Sequence, residues 1–118
     1  MLTIIPSRDE STIAVEFSGA ATKEDAEKLE QFVRTMIGDG REFNIFANMH
    51  EVDGTTLMGL AYGMKFDVKR WSHFRKFAVV TDLKWLEAVT ELGKFLPGLE
   101  AKHFSKGEEE AAWAWIKE

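Results

Sequence analysis

The sequence predicts a single α/β domain, residues 1–118, with a mostly parallel mixed sheet that is begun by an N-terminal hairpin and accompanied by four helices. Three observations predict it. Two short apolar runs joined by a polar turn open the chain. Strand-like runs then alternate with segments of helical periodicity, which implies right-handed crossovers between parallel neighbours. Residues 76–81 (Lys-Phe-Ala-Val-Val-Thr) are apolar almost throughout, as a strand covered on both faces must be. A chain of 118 residues is long enough for one core and too short for two.

Residues 1–5 and 12–18 form the expected hairpin around the turn at 7–11. In its second strand Ile13, Val15 and Phe17 alternate with Ala14, Glu16 and Ser18, which predicts one buried and one wet face before Gly19 ends the strand. Thr22 precedes Asp25 by three residues, an acidic capping box. It opens a helix whose inner face carries Ala26, Leu29, Phe32, Val33, Met36 and Ile37, and Gly38-Asp39-Gly40 supplies the left-handed residues of its stop. Phe43, Ile45, Phe46, Ala47 and Met49 mark a buried central strand, followed by a polar loop from His50 to Gly54.

A long second helix opens at Thr55 or Thr56 and has two apolar stripes where a surface helix needs one. Leu57, Leu60, Ala61, Met64, Val68 and Trp71 are expected to face the sheet; Met58, Tyr62 and Phe66 form the second stripe. After the strand at 76–81, Asp82 is placed to cap a third helix with Trp85, Val89, Leu92 and Leu96 on one face, closed by Pro97-Gly98. A short strand at 101–104 leads to Ser105 and Glu108, a second capping box. That box predicts a last helix over 106–117 with Ala112, Trp115 and Ile116 inward and Trp113 nearer the outer side.

Apolar residues at 45% and charged residues at 30% describe a globular rather than a disordered or membrane-spanning chain. No apolar run approaches the roughly 20 residues of a membrane helix, and the apolar start at 1–5 lacks the features of a signal peptide. The expected compartment is the cytoplasm. Without cysteine there is no disulfide framework, thiol nucleophile or thiolate metal site. A net charge of −5 argues against a dedicated nucleic-acid binder.

The order of elements resembles the SpoIIAA-like family of small bacterial proteins, within the STAS superfamily. Three stretches carry the resemblance: Met1-Leu-Thr-Ile-Ile-Pro, the run Lys76-Phe-Ala-Val-Val-Thr-Asp-Leu-Lys-Trp-Leu86, and Phe104 through Glu110-Ala-Ala-Trp-Ala-Trp-Ile116. The superfamily includes anti-sigma factor antagonists and transporter tails, and its fold is similar to that of the lipid-binding CRAL-TRIO domains. In the antagonists, the loop after the central strand carries a phosphorylated Ser following Asp, with Gly-Leu shortly after. Asp53 and Gly59-Leu60 match that pattern, whereas Gly54 and Thr55 stand where Asp-Ser is expected, which counts against a phosphoswitch of that type.

His50, Glu51 and Asp53 lie at the carboxyl end of the expected central strand, where open α/β sheets bind ligands. A zincin pair would need a second histidine where Gly54 stands, and His73 and His103 show no ligand spacing. No nucleophile elbow, phosphate-cradling loop or dinucleotide fingerprint occurs. Neither catalysis, a metal nor a cofactor is therefore expected. The expected function is a non-enzymatic binding module for a lipid-like or other small apolar ligand, held by Met58, Tyr62, Phe66, Trp85 and Val89 between the second and third helices. Methionine and tyrosine suit an adaptable apolar site, and Gly59 and Gly63 leave room for close approach. Lys65, Lys69, Arg70, Arg75 and Lys76 against Asp67 invert the local charge. Interleaved with aromatics, the basic patch at Lys65, Lys69 and Arg70 fits an anionic membrane surface at the inner face. The competing expectation is a regulatory protein-interaction module of the anti-sigma antagonist type, with a protein partner at the loop and a phospho-acceptor at Thr55 or Thr56.

Overall fold

The computed structural model describes residues 1–38, 40–53, 73–84 and 99–118. Five strands form one mixed sheet in the order β1-β2-β3-β4-β5: β1 Leu2–Ile5, β2 Thr12–Gly19, β3 Phe43–Val52, β4 Phe74–Val80 and β5 Glu100–Phe104. β1 runs antiparallel to β2, and each later pair is parallel. The hairpin and the largely parallel sheet are as the sequence predicts. Two helices occur among the described residues, α1 Lys23–Met36 and α2 Glu109–Ile116. The expected second and third helices lie outside the described residues.

The two faces of the sheet carry separate apolar clusters because successive strand residues point to opposite sides. On one face Ile13, Val15, Phe17, Phe43, Ile45, Ala47, Met49 and Val79 cluster with Val33 of α1 and with Ile37, its C-cap. On the other Ala14, Phe46, Ala78, Val80 and Phe104 cluster with Ala112, Trp113 and Ile116 of α2. This second cover corrects the expectation for β2. Ala14 is buried with the rest, and the wet alternation survives only toward the carboxyl end of the strand, at half-buried Glu16 and exposed Ser18.

α1 begins as its sequence dictates. The Asp25 amide donates to the Thr22 hydroxyl at 3.2 Å, and the Asp25 carboxylate accepts the Thr22 amide at 3.0 Å. The same carboxylate accepts the Leu2 amide at 3.0 Å, while Lys28 Nζ donates to the Leu2 carbonyl at 2.9 Å. α1 thereby occupies both backbone groups of Leu2 on the edge strand β1, which removes a template for edge pairing. Burial pushes the Asp25 carboxyl upward, but the amides of Leu2 and Thr22, the Thr22 side chain and the nearby amino terminus outweigh it. The group titrates below its ordinary 3.8. A depressed carboxyl contributes stability that is complete above the unfolded value and is lost as pH falls through the folded one. Asp25→Ala is expected to destabilise the domain by about 1–2 kcal/mol near neutral pH. In urea titrations at successive pH values, the gap to the parent protein should narrow below pH 3.8.

Ile37 and Gly38 both donate to the Val33 carbonyl, and Gly38 then turns away at φ +74°, the expected helix stop. Met36, expected inside, is 56% exposed. Val33 and Ile37, one turn apart, take the sheet-facing positions of this last turn and leave Met36 on its flank. β3 extends to Val52, so His50, Glu51 and Val52 belong to the strand and not to a loop. The ladder continues because the register of β2 shifts between Phe17 and Gly19, which brings Gly19 opposite Val52. β4 likewise starts earlier than expected, with Phe74 stacked on Phe43 at 5.3 Å between ring centroids.

The last helix starts at Glu109 rather than at 106. Ser105 and Glu108 do meet, the Ser105 amide donating to Glu108 Oε1 at 2.7 Å and the Glu108 amide to the Ser105 carbonyl at 3.0 Å. They close a turn instead of capping a helix, with Gly107 at φ +92° inside it. Trp113 is buried, stacked on Phe46 at 4.5 Å, and Trp115 is only half-buried, the reverse of the expected order.

Candidate functional site at the carboxyl edge of the sheet

Parallel strands deliver their carboxyl ends to one edge. There Glu16 pairs with Asn48, Asn48 with Val80, and Val80 with Phe104, forming one row across β2 to β5. His50 follows Asn48 by two residues and so shares its face. Into this row reaches Lys106 from the turn between β5 and α2. Its Nζ donates to Asn48 Oδ1 and lies 3.3 Å from His50 Nδ1. The far ring nitrogen, Nε2, is 4.0 Å from Glu16 Oε2. Lysine has no acceptor, so His50 Nδ1 must receive the bond and the neutral ring must carry its hydrogen on Nε2. The result is an ordered line from ammonium through imidazole to carboxylate. His50 and Glu16 both remain close to half exposed, with side chains 45% and 43% accessible.

The backbone beside this line is fixed. Asp82, expected to cap the third helix, accepts the Lys106 amide at 3.0 Å. Buried Thr81 donates its amide to the Phe104 carbonyl at 2.9 Å and accepts the Leu83 amide on its hydroxyl at 3.1 Å. Its carbonyl lies 2.7 Å from His103 Nε2, which must therefore carry a hydrogen and donate it. The cross-links join the ends of β4 and β5 to the turn that carries Lys106.

The three histidines do not converge. His73 stands at the amino edge, where its carbonyl accepts the Phe43 amide at 3.0 Å, while His50 stands at the carboxyl edge. No group of three or more His, Asp or Glu able to hold a metal occurs among the described residues. Glu51 and Asp53 are exposed. From the basic run, Arg75 pairs with Glu42 at 3.1 Å, and Lys76 Nζ donates to the carbonyls of Trp115 at 2.9 Å and Glu118 at 3.2 Å. Lys76 also lies 5.2 Å from the Trp115 ring, so these two cations serve the fold. The ligand residues Met58, Tyr62, Phe66, Trp85 and Val89 lie outside the described residues, as do Thr55, Thr56, Lys65, Lys69 and Arg70. Sequence reasoning singled out His50 and missed Glu16, Asn48 and Lys106. The polar alternation Asn48-x-His50 at the end of an apolar strand is a local signal for the first partner; Lys106 arrives from a distant turn and leaves none.

A cleft of about 570 Å³ lies at the other end of β2, between the hairpin turn and the last turn of α1, and Met36 and Phe32 line it. No helix among the described residues is long and apolar enough to cross a membrane.

Comparison with known proteins agrees with this architecture. The chain is similar in structure to an uncharacterized protein with a SpoIIAA-like fold from Shewanella loihica, with a TM-score of 0.64 over 98% of this chain and 92% of that one. The two are 18% identical, and the likeness is one of fold. No curated protein shows significant sequence similarity to the chain. The profile of the SpoIIAA-like family matches residues 12–117, from the first residue of β2 to just past α2. By that match the chain belongs to the SpoIIAA-like family.

Proposed function

We propose that this chain is a non-catalytic binding module whose ligand is a lipid-like or other small apolar molecule. Family and fold support a binding or regulatory module in general terms, and the finer reading rests on one observation. β3 and β4 are adjacent and parallel, so the chain leaves both at the same edge. The described chain thus ends side by side at Asp53 after β3 and at Lys84 after β4, and in sequence Met58, Tyr62 and Phe66 follow the first exit and Trp85 and Val89 the second. Two connections rich in apolar side chains that start side by side can enclose a ligand between them, and Gly59 and Gly63 lower the helix propensity of the first by up to about 1 kcal/mol each. Lys65, Lys69 and Arg70 would meet an anionic surface when the ligand is exchanged with a membrane.

The test is retention. Protein purified without detergent is expected to yield a fatty acid or phospholipid on solvent extraction, and Met58→Asp with Tyr62→Asp is expected to release it. Flotation with anionic vesicles at low salt checks the membrane part; protein that stays at the bottom of the gradient contradicts it. A second reading, a regulatory protein-interaction module, is favoured by the half-exposed line of Glu16, His50 and Lys106, of which His50 shortly precedes Thr55 and Thr56 in sequence. A ligand-free protein whose intact mass carries one phosphate would decide for it.

A further inference from the structure

We infer that His50 is a pH-operated latch between the central strand and the turn before α2, with the Lys106 side chain as its moving part. The inference stands on the described contacts alone and does not depend on which ligand the domain binds. Lys106 Nζ is held by two acceptors, Asn48 Oδ1 and His50 Nδ1. Only the neutral ring offers the second. When the imidazole gains a proton, Nδ1 turns from acceptor to donor and an imidazolium faces an ammonium across 3.3 Å. The bond is lost and the two groups repel.

The other neighbours decide the direction of movement. From β2, the Glu16 carboxylate lies 4.0 Å from Nε2 and attracts the imidazolium. On β3 itself, Asn48 is neutral and gives Lys106 a single remaining acceptor. In the β5–α2 turn, the Glu108 carboxylate is engaged with the Ser105 amide. After β4, the Asp82 carboxylate holds the Lys106 backbone amide and so fixes the base of the side chain but not its head. Acid therefore draws the ring toward Glu16 and drives the Lys106 head off Asn48 into solvent, while the turn keeps its backbone bonds. The row Glu16, Asn48 and His50 is closed over by Lys106 at high pH and uncovered at low pH. Histidine is the side chain whose charge ordinarily changes near neutrality, which makes it the trigger of such a device.

The experiment is NMR on the isotope-labelled full chain, titrated from about pH 8 to about pH 5. Long-range nitrogen couplings should place the neutral ring's hydrogen on Nε2. The Lys106 side-chain and Asn48 amide signals should move with the same midpoint as the His50 ring. Lys106→Met should carry that midpoint to higher pH and Glu16→Gln to lower pH, each by roughly 0.3–1 unit. Lys106→Gln, which keeps a donor without the charge, should shift it in the same direction as Lys106→Met. A neutral hydrogen on Nδ1, or Lys106 and Asn48 signals that stay flat while the ring titrates, overturns the latch. So do shifts of the same sign in Lys106→Met and Glu16→Gln.

Discussion

Replacing Trp113 by alanine is expected to destabilise the domain by about 3–5 kcal/mol, a large part of the roughly 5–15 kcal/mol by which a domain is stable. Trp113 is 5% exposed, stacks on Phe46 in the central strand and carries the α2 side of the second apolar cluster. Its removal takes away the ring's own transfer free energy and leaves a void between Phe46 and its remaining neighbours. α2 has eight residues and lacks a side-chain N-cap bond, so it depends on this packing for its helical state. Trp115→Ala should cost much less, about 1–2 kcal/mol, since that ring is half-buried and loses an aromatic contact with Phe104 and the Lys76 ammonium. Urea unfolding followed by far-ultraviolet circular dichroism gives both numbers. Equal costs, or the reverse order, would contradict the orientation of α2.

Val33→Asp is expected to leave the domain unfolded near neutral pH. Val33 has 0% exposure and sits in the cluster of α1 against the sheet. The substitution removes buried apolar area and puts in a carboxyl that must either ionise without a partner or stay protonated. Holding a carboxyl neutral by a pKa elevation of about 3 units already costs about 4 kcal/mol near neutral pH, before the lost packing is added. Met36→Asp, three residues along the same helix, should change stability by less than about 0.5 kcal/mol because that side chain is on the surface. Circular dichroism and denaturant titration of the two variants separate the faces of α1. A folded Val33→Asp protein would mean that α1 does not cover the sheet as described.

The contrast between these pairs shows what a single sequence can and cannot convey here. The capping box of Thr22 and Asp25, the helix stop at Gly38 and the apolar runs of β3 and β4 are local signals, and each reappears in the fold. Trp113 and Trp115 flank the inward pair Ala112 and Ile116 symmetrically, about 80° to either side, so helical spacing alone does not choose which of them is buried. Gly107 in the left-handed region puts the start of α2 at 109 rather than 106, because a capping-box spacing is equally compatible with a turn. His50 to Val52 read as loop because polar residues end most apolar runs; only the matching extension of β2 to Gly19 makes them strand. At the carboxyl edge, position identified His50, but the company it keeps is set by chain segments far apart. Lys106 is 58 residues from Asn48, and no periodicity links them.

Native mass spectrometry of the freshly purified chain, followed by extraction and identification of whatever it releases, tests the proposed binding function most directly. The expected result is a population heavier than the bare chain by the mass of a fatty acid or phospholipid, reduced to the bare mass in the Met58→Asp, Tyr62→Asp protein. A parent chain that flies at its bare mass, gains nothing after incubation with fatty acid or anionic vesicles, and is indistinguishable from that variant would contradict it.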